Sequence, residues 1–510
     1  MNLYYPIEKH GNEHPGKIAI VSGSDRITYA GLSLRVAAIA RIFTGLGLKK
    51  GDRIALLTPN SPQMLFCFYA AMKSGLINVS LNTMFQTGEL DYILDDCEPK
   101  ILIAHQSFKS RIKLLSCVAT GRVRVILLSD GSTEPTGMAS LAELIDLYRD
   151  QSCETESLDA DTEAVIGYTS GTSGFPKGAV HSHGNIRYHL DAIAKYLGFG
   201  PTDTFLAALP FFQLPAFLIH AGLALHVGAT LVVMEKFEPQ AFLDWIDNED
   251  VTFFAGVPTI YQMLYDASQD RRSLLRKVRF GICAGAPLSM KLRQNFENQM
   301  GLRIVHCYGS TEIPLITAFE RPEEKPKGIS VGNVAPHMRL RLVDIEGRGV
   351  PTGEAGEIQV GSENTLKYYW NNLEATDDAV RDGWFSTGDI GRFDKDAHLH
   401  IIDRAKDMII RGGLNIYPAE IERVLTQAPG IREAVVVGIP HERLGEVPKA
   451  YVVLEANVHL SAEDVIALSR EKLAAFKVLA EVEIVDADFF PRNAMGKIQK
   501  NKLKRGCHEN

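Results

Sequence analysis

Short apolar runs alternate with longer segments of helical periodicity along most of the chain. The runs at 53–57 (RIALL), 101–105 (ILIAH), 231–234 (LVVM) and 252–257 (TFFAGV) have the length and composition of buried strands. Residues 62–73 instead place apolar side chains at helical spacing. Because alternating strand and helix patterns are typical of an α/β fold, we predict this class for the larger part of the chain.

Two changes of pattern divide the remainder of the sequence. Residues 338–361 contain short strand-like runs separated by Gly and Pro, which predict a small twisted sheet or barrel. Residues 404–510 combine strand runs with helical patterns and predict a compact α+β unit. We therefore predict a large N-terminal domain over 1–403 and a smaller C-terminal domain over 404–510, with the boundary at 403–406.

The composition narrows the class of partner. At 510 residues the chain is longer than one hydrophobic core usually supports, which agrees with two domains. A formal net charge of −8 offers no broad cationic face to a phosphate backbone, so nucleic acid is not an expected partner. The seven cysteines show neither a CxxC pair nor a zinc-ligand spacing. With a charged N-terminal segment that does not resemble a signal peptide, they predict a reduced, cytoplasmic protein.

One long uncharged stretch, residues 205–234, has the length of a membrane span. Pro210, Pro215, Gly222 and Gly228 divide it into pieces of strand and short-helix length. We therefore predict a buried element of a globular core here, and no transmembrane segment.

The stretch with the clearest chemistry is YTSGTSGFPKG, residues 168–178. Hydroxyl side chains alternate with glycines, so that hydroxyls and backbone N–H groups can both approach a polyphosphate closely, and Lys177 adds a cation. Gly178 stands where a Walker loop has Ser or Thr, which indicates a different nucleotide fold. A flexible Ser/Gly linker is the alternative, but linkers rarely combine this hydroxyl density with a Phe-Pro-Lys-Gly ending.

This loop resembles the phosphate-binding loop of the superfamily that contains acyl-CoA synthetases, adenylation domains and luciferases. Four further stretches are similar to motifs of that family and occur in the family's order, so the resemblance covers essentially the whole chain. It implies a large N-terminal domain of two α/β subdomains and a small β-barrel-like subdomain, followed by a mobile α+β lid domain. The four stretches are CYGSTE at 307–312, STGD at 386–389, DRAKDMIIRGGLNIYPAEIE at 403–422 and PRNAMGKIQK at 491–500.

The resemblance implies ATP, Mg²⁺ and CoA as cofactors and assigns roles to single residues. Glu312 becomes the hard oxygen ligand for magnesium, Thr311 faces the α-phosphate and Tyr308 offers its ring to adenine. Asp389 accepts hydrogen bonds from the ribose hydroxyls. Taken alone, these residues have simpler explanations as a surface charge, a core aromatic and a turn aspartate. The implied ATP site consists of Thr169, Ser170, Gly171, Thr172, Ser173, Gly174, Lys177, Gly285, Ala286, Pro287, His306, Cys307, Tyr308, Thr311, Asp389, Arg404 and Lys497.

Lys497 is the residue that the resemblance places at the adenylation step, together with Thr172 and Glu312. A carboxylate that attacks the α-phosphorus brings two anionic groups together, and a mobile cation between them lowers the barrier. The simpler alternative is that Lys497 belongs to a solvated basic face with Lys500, Lys502, Lys504 and Arg505.

Movement of the C-terminal domain is a further implication. In the family this domain rotates between the two half-reactions, and Lys406 occupies the matching hinge position. Arg404 would contact the ribose, while Gly412 and Gly413 would let a pantetheine arm pass close to the backbone.

The predicted acid-binding residues depart from the family pattern at one position. Where the family usually has a histidine after an LP-aromatic run, this chain has Gln213, which forms hydrogen bonds but carries no proton charge near neutrality. The candidate lining has no acidic or basic side chain, which disfavours amino acids and dicarboxylates. We therefore expect a monocarboxylic acid with an aliphatic or aryl tail, with fatty acids first. The predicted lining is Gln213, Leu214, Phe217, Cys307 and Ile313.

These features predict an ATP-dependent acid–thiol ligase that forms an acyl-adenylate and passes the acyl group to CoA. The phosphopantetheine of a carrier protein is the alternative acceptor, and a non-catalytic nucleotide-binding or acyl-binding homologue is the alternative class. The intact Lys497, Glu312 and Asp389 argue against the latter. A dehydrogenase is disfavoured because the glycines at 45–51 end a helix pattern, and the GxSxG and HExxH motifs of hydrolases are absent. A homodimer is left open.

Overall fold

The computed structural model describes residues 1–128, 139–148, 150, 153–169, 176–268, 271–286, 288–325, 328–412, 414–492 and 498–506. The chain divides into two compact units, of which the first comprises Met1–Arg339 and Val360–Phe385 and the second Leu340–Gln359 and Ser386–Asn510. The predicted domain bounds, 1–403 and 404–510, and the hinge near Lys406 stay predictions.

The strands and α-helices are numbered along the chain. The strands are β1 Ile18–Ser22, β2 Asp25–Thr28, β3 Arg53–Leu57, β4 Ile77–Ser80, β5 Ile101–His105, β6 Arg124–Leu128, β7 Ala139–Ser140, β8 Glu163–Thr169, β9 Lys177–Ser182, β10 Thr204–Ala207, β11 Thr230–Val233, β12 Phe253–Gly256, β13 Phe280–Cys283, β14 Ile304–Ser310, β15 Ile313–Phe319, β16 Asn333–Val334, β17 Leu340–Val343, β18 Ala355–Gly361, β19 Tyr368–Tyr369, β20 Val380–Arg381, β21 Trp384–Phe393, β22 Leu399–Arg404, β23 Ile409–Arg411, β24 Leu414–Ile416, β25 Ile431–His441, β26 Gly445–Leu454 and β27 Glu481–Ile484. The α-helices are α1 Tyr5–Glu13, α2 Tyr29–Gly45, α3 Pro62–Lys73, α4 Thr87–Cys97, α5 Lys109–Ile112, α6 Ser116–Ala119, α7 Leu141–Leu147, α8 His183–Tyr196, α9 Leu214–Phe217, α10 Leu223–Val227, α11 Pro239–Asn248, α12 Pro258–Ala267, α13 Met290–Asn295, α14 Leu373–Ala379, α15 Pro418–Thr426, α16 Ala462–Lys472 and α17 Lys500–Gly506.

The first unit contains an eight-stranded sheet in the order β19-β9-β8-β4-β3-β5-β6-β7. Its middle strands run parallel, whereas β9 returns antiparallel beside β8. The strands predicted at 53–57 and 101–105 are β3 and β5, and the helix predicted at 62–73 is α3, so these predictions are confirmed. The apolar runs are continuous because parallel strands are covered on both faces.

The same unit contains a nine-stranded sheet in the order β16-β15-β14-β13-β12-β10-β11-β1-β2. Six neighbouring strands of this sheet, β14-β13-β12-β10-β11-β1, run parallel to one another. β15 returns antiparallel beside β14. The runs predicted at 231–234 and 252–257 correspond to β11 and β12. The carboxyl ends of β12, β13 and β14 therefore lie at one edge, which is where open parallel sheets bind ligands.

The uncharged stretch at 205–234 is divided as predicted. It contains most of β10, then α9, a π-helical turn at Leu218–Gly222, α10 and β11. Within the described part of the chain, no helix combines the length and apolar character needed to cross a membrane.

The second unit contains two small sheets. In one sheet, β21 lies between β18 and β22, and β17 pairs with the other edge of β18. In the other, β24-β23-β26-β25 lie in that order, β27 pairs with β26, and α15 and α16 pack on the sheet through Ile421, Leu425 and Val465. These elements agree with the predicted small sheet and α+β unit.

Candidate functional site

A tight hairpin turn presents the proposed phosphate-contacting and magnesium-binding residues. Ser310 at the end of β14 pairs with Ile313 at the start of β15, so Thr311 and Glu312 form the turn between them. A Cβ atom on Gly309 would lie 2.4 Å from the carbonyl oxygen of Leu315, so only glycine fits the backbone approach at this point. The sequence therefore fixes the turn that carries Thr311 and Glu312.

The phosphate-binding loop begins and ends on a second hairpin. Thr169, the last residue of β8, pairs with Lys177, the first of β9, and the Thr169 hydroxyl donates a hydrogen bond to the Lys177 carbonyl at 3.4 Å. Both ends of the loop are thus held by strand pairing. The loop residues predicted to bind phosphate between these ends, Ser170, Gly171, Thr172, Ser173 and Gly174, lie outside the described residues.

The two hairpins meet at Gly167 in β8. A Cβ atom built on Gly167 would lie 3.0 Å from Cγ2 of Thr311 and 3.5 Å from Cδ2 of Leu214. His181 in β9 adds a second link, because its Nε2 donates a hydrogen bond to the carbonyl of Thr311 at 2.8 Å. The structure therefore brings together the base of the phosphate loop, the predicted α-phosphate contact and the predicted acid-binding leucine.

Tyr369 is a residue of this region that the sequence motifs do not identify. Its hydroxyl donates a hydrogen bond to Oε1 of Glu312 at 3.2 Å, and Lys177 Nζ lies 5.1 Å from the centre of its ring. The only sequence signal is an aromatic pair within KYYW, which by itself is typical of any buried strand.

Further residues of the implied ATP site lie directly after β13 and within β14. Gly285 has a φ of +79°, which favours glycine, and Tyr308 is buried in β14. Cys307 is buried as well, and burial raises the pKa of its thiol to about 12. Pro287 lies outside the described residues.

His306, which the resemblance also assigned to the ATP site, is held by two hydrogen bonds. Its Nδ1 donates a hydrogen bond to the carbonyl of Ser330 at 3.1 Å, and its own N–H donates to Oε2 of Glu320 at 3.1 Å. Burial lowers the pKa of His306, so the ring is held neutral. These contacts fix β14 beneath Tyr308.

The predicted acid-binding residues occupy one apolar region of the first unit. Leu214 and Phe217 lie on α9 beside β15, which begins with Ile313, and all three side chains are buried. Gln213, the residue before α9, is half-buried. The Phe217 ring packs on Phe68 with a centroid distance of 4.2 Å.

A neutral histidine lies within the same helical segment. His220 donates through Nδ1 to the carbonyl of Ala216 at 2.9 Å and accepts at Nε2 from the N–H of Ala255 at 3.1 Å. Burial lowers the pKa of His220 to about 4, so the ring carries no charge near neutrality. His220 therefore adds no charge beside Leu214 and Phe217 near neutrality.

The burial of neutral histidines predicts that the first unit loses stability at acidic pH. Burial lowers the pKa of His181 and His220 to about 4 and that of His183 and His189 to about 3. Because the unfolded chain binds these protons near pH 6.5, stability is present above that pH and is lost as the pH falls towards 4. At pH 5 each buried histidine should reduce the free energy of unfolding by ~2 kcal/mol.

Urea unfolding at pH 7.5 and pH 5.0 measures this effect, and all three tryptophans, Trp245, Trp370 and Trp384, report on the first unit. A His220→Gln variant should lose about one proton from the pH dependence, whereas exposed His14→Asn should not. An unfolding free energy that does not change between the two pH values would contradict the prediction.

In the second unit, Asp389 and Arg404 are paired with each other. They are register partners in β21 and β22, and Arg404 Nε lies 2.7 Å from Oδ1 of Asp389. The Asp389 side chain is mostly buried, whereas that of Arg404 is about one-third exposed. The two predicted ribose contacts are therefore neighbours, and the guanidinium holds the carboxylate in a fixed orientation.

The predicted hinge and glycine residues also lie in the second unit. Lys406 is in a 3₁₀ turn at Ala405–Asp407, and burial lowers the pKa of its ammonium. Gly412 has a φ of +58°, and its N–H donates a hydrogen bond to the carbonyl of Leu444 at 2.7 Å. Gly413 and Lys497 lie outside the described residues.

The two ends of the segment that carries Lys497 are tied together. Arg492 and Ile498 form a bridge, and the N–H of Gln499 donates to the carbonyl of Pro491 at 2.7 Å. Lys500 Nζ then lies 2.7 Å from Oε1 of Glu422 on α15. Hydrogen bonds and an ion pair therefore hold the residues on both sides of the predicted catalytic-lysine loop within this unit.

Glu312 suits a magnesium ion that arrives with a nucleotide. Mg²⁺ usually keeps several waters and takes one or two carboxylates together with phosphate oxygens. Glu312 offers a partly exposed carboxylate at a turn. Across the described residues, no group of three or more His, Cys, Asp or Glu could hold a metal by itself. A single carboxylate of this kind fits a metal that is shared with the phosphates of a bound nucleotide.

Comparison with known proteins identifies the family. Residues 7–370 match the AMP-binding enzyme family, and residues 420–497 match the AMP-binding enzyme C-terminal domain. The chain is 34% identical over 492 residues to a feruloyl-CoA synthase of Amycolatopsis sp, with 96% of both chains covered. It is 33% identical over 513 residues to the long-chain-fatty-acid–CoA ligase FadD13 of Mycobacterium tuberculosis, with 99% of this chain and 98% of the other covered.

The fold agrees with these relationships. The crystal structure of ATP-bound MatB from Rhodopseudomonas palustris superposes with a TM-score of 0.91 at 31% identity, with 100% of this chain and 99% of that chain covered. The chain therefore belongs to the AMP-binding enzyme family, among the acyl-CoA synthetases of the adenylate-forming superfamily. Enzymes of this class use ATP, magnesium and CoA to convert a carboxylic acid into an acyl-adenylate and then into a thioester.

Proposed function

We propose that the chain activates a monocarboxylic acid with an apolar aliphatic or aryl tail, and that the acceptor is free CoA. The carboxylate oxygen of the acid attacks the α-phosphorus of ATP, and the bond to the β-phosphate breaks to release pyrophosphate. The thiol of CoA then attacks the acyl carbon, and AMP leaves.

The observation that carries the proposed acid class is the uncharged region around α9. Leu214, Phe217 and Ile313 are buried apolar side chains, and His220 in the π-helical turn that follows α9 is held neutral. A second carboxylate or an ammonium group would find no partner of opposite charge among them, and an unpaired buried charge is costly. An apolar tail pays no such cost.

The names of the relatives point in the same direction. One relative is a feruloyl-CoA synthase and another a long-chain-fatty-acid–CoA ligase, so both an aryl and an aliphatic tail occur at similar identity. Both are named for CoA as acceptor, which favours CoA over a carrier protein.

The positions of the site residues support a separate role for each of them. Thr169 and Lys177 hold the phosphate loop, Thr311 faces the α-phosphate, and Leu214 across Gly167 places the acid beside it. Glu312 would hold a magnesium ion, which neutralises charge on the phosphate oxygens when it is bound. The reacting carboxylate and phosphate would thereby be brought into attack geometry.

Lys497, Asp389 and Arg404 complete the proposed set. Lys497 would place its ammonium between the two anionic reactants, and Asp389 would accept hydrogen bonds from the ribose. The contact with Arg404 would keep the Asp389 carboxylate oriented for this task.

An acid panel tests the substrate class. We expect kcat/KM, measured as CoA-dependent AMP formation, to be higher for octanoate, decanoate, cinnamate and ferulate than for malonate, glycine or phenylalanine by at least about 100-fold. A malonate or amino acid turnover above every apolar acid would contradict the proposal.

A pair of variants locates the acid site. Leu214→Asp should lower kcat/KM for the preferred apolar acid roughly 100-fold because it buries a carboxylate beside the tail. Leu34→Asp, at a leucine that is 71% exposed, should have no effect. Retained ATP binding by Leu214→Asp shows that the fold is intact. Unchanged kcat/KM in that variant would remove Leu214 from the acid site.

A further inference from the structure

A single tyrosine separates the two opposite charges beside the phosphate loop. The Lys177 ammonium lies 5.1 Å from the centre of the Tyr369 ring, and Glu312 Oε1 accepts a hydrogen bond from the Tyr369 hydroxyl at 3.2 Å. The cation contacts the ring and the carboxylate contacts the phenolic oxygen, so one side chain engages both charges.

The separation has a consequence for nucleotide binding. Lys177 and Glu312 both belong to the described residues, and the contacts of their charged groups are with the Tyr369 ring and hydroxyl. Oppositely charged groups that are partly buried attract strongly, and a direct ion pair would neutralise both. Each charge would then be less available, the ammonium to phosphate oxygens and the carboxylate to a metal.

Backbone bonds hold the segment around Tyr369 against both hairpins. Residues 368–369 pair antiparallel with β9, and the N–H of Trp370 donates to the carbonyl of Gly178 at 2.7 Å. On the other side, the N–H of Leu366 donates to the carbonyl of Glu312, also at 2.7 Å. This segment therefore joins the base of the phosphate loop to the turn that carries Glu312.

Packing fixes the tyrosine ring itself. Tyr369 is 6% exposed and belongs to an apolar cluster with Ala179, Leu366, Ala375 and Phe385. Its N–H donates to the hydroxyl of Thr376 at 2.9 Å. A ring held on both its backbone and its side chain is suited to orient its neighbours rather than follow them.

We propose that Tyr369 is a positioning residue of the magnesium–ATP site, which keeps Lys177 and Glu312 apart and turns both towards the polyphosphate and its metal. This inference rests on the nucleotide roles proposed above for Lys177 and Glu312. It does not depend on which acid the enzyme activates, because the acid takes no part in the contacts.

Nucleotide binding without any acid tests the inference. In calorimetry, Tyr369→Phe should bind the magnesium complex of α,β-methylene-ATP about tenfold more weakly, because the lost hydrogen bond is one to a charged group. AMP without metal should bind within about twofold of the wild-type affinity, since it requires neither the metal nor the β- and γ-phosphates. Electron paramagnetic resonance of Mn²⁺ should show a matching loss of metal bound with the analogue.

Two further variants separate positioning from general damage. Tyr368→Phe is the matched control, because neighbouring strand residues point to opposite faces and the Tyr368 hydroxyl is directed to Glu163. It should bind both nucleotides like the wild type. In a Glu312→Gln background, Tyr369→Phe should change the affinity for the analogue by less than about twofold, because the hydroxyl acts through that carboxylate.

Three outcomes would overturn the inference. They are an unchanged affinity of Tyr369→Phe for the magnesium-bound analogue, an equal loss for AMP and the analogue, and additive effects of Tyr369→Phe and Glu312→Gln. Failure of the acid panel with normal results here would affect the proposed substrate and leave the role of Tyr369 intact.

Discussion

Replacement of Lys497 by alanine is expected to slow the adenylation half-reaction roughly 1,000-fold, since it removes a charge that acts mainly in the transition state. Two anionic groups, the carboxylate and the α-phosphate, must approach each other, and an ammonium between them compensates the growing repulsion. The bonds at the base of its loop, from Gln499 to Pro491 and from Lys500 to Glu422, should remain in the variant. The second unit should therefore fold normally.

The half-reactions are measured separately. Pyrophosphate release reports adenylation, and acyl-CoA formation from supplied acyl-adenylate and CoA reports the second step. We expect Lys497→Ala to form thioester from acyl-adenylate within about threefold of the wild-type rate, because that step needs no charge at the α-phosphorus.

Lys502→Ala is the matched control for this prediction, because Lys502 is an exposed lysine of the same basic face. Equal losses in the two variants would show that the face acts as a whole and that Lys497 has no special role.

Lys406→Pro should have the opposite effect and slow thioester formation roughly 100-fold, because a misplaced second unit loses its reaction geometry, with little change in adenylation. Lys406 is the second residue of a short helical turn, where the backbone N–H has no intrahelical acceptor, so proline at this position removes no hydrogen bond of the turn. Proline restricts φ at this position and the backbone of the preceding residue, and it thereby removes the freedom that a hinge needs.

Lys406→Ala serves as the control, because it removes the ammonium and keeps the backbone freedom. It should retain both half-reactions within about threefold. Equal losses in adenylation and thioester formation for Lys406→Pro would contradict the hinge, and so would a Lys406→Ala variant as impaired as the proline variant.

The strands and helices near the site could be predicted where a local pattern specifies them. β3, β5 and α3 coincide with the runs predicted at 53–57, 101–105 and 62–73, because a buried parallel strand and a helix leave clear signals over five or more residues. The breakers in the uncharged stretch likewise predicted the division that the structure shows.

Contacts between distant segments could not be predicted in this way. Tyr369 follows Glu312 by more than fifty residues and lies in a strand of two residues, β19, which is too short to have a periodicity. Its position depends on the pairing of β19 with β9, and sheet order is a property of the whole unit. The pairing of Asp389 with Arg404 is similar, because it depends on the register of β21 and β22.

The roles assigned through the resemblance have a different status. The structure places Thr311, Glu312, Lys177 and Leu214 near one another, as a nucleotide and acid site requires. It shows His306 in hydrogen bonds to Ser330 and Glu320 that support β14, which gives this residue a structural role in addition to any contact with nucleotide. The roles of all these residues, and of Thr172, Pro287, Gly413 and Lys497, stay predictions from the sequence.

The central claim is that the enzyme joins an apolar monocarboxylic acid to CoA through an acyl-adenylate. Its most direct test is to quantify pyrophosphate, AMP and acyl-CoA from purified protein with ATP, Mg²⁺ and the preferred acid, with and without CoA. We predict acid-dependent pyrophosphate release in both cases, and AMP and acyl-CoA in equal amounts only when CoA is present. Acyl-adenylate that accumulates unchanged in the presence of CoA, or no pyrophosphate with any acid, would contradict the claim.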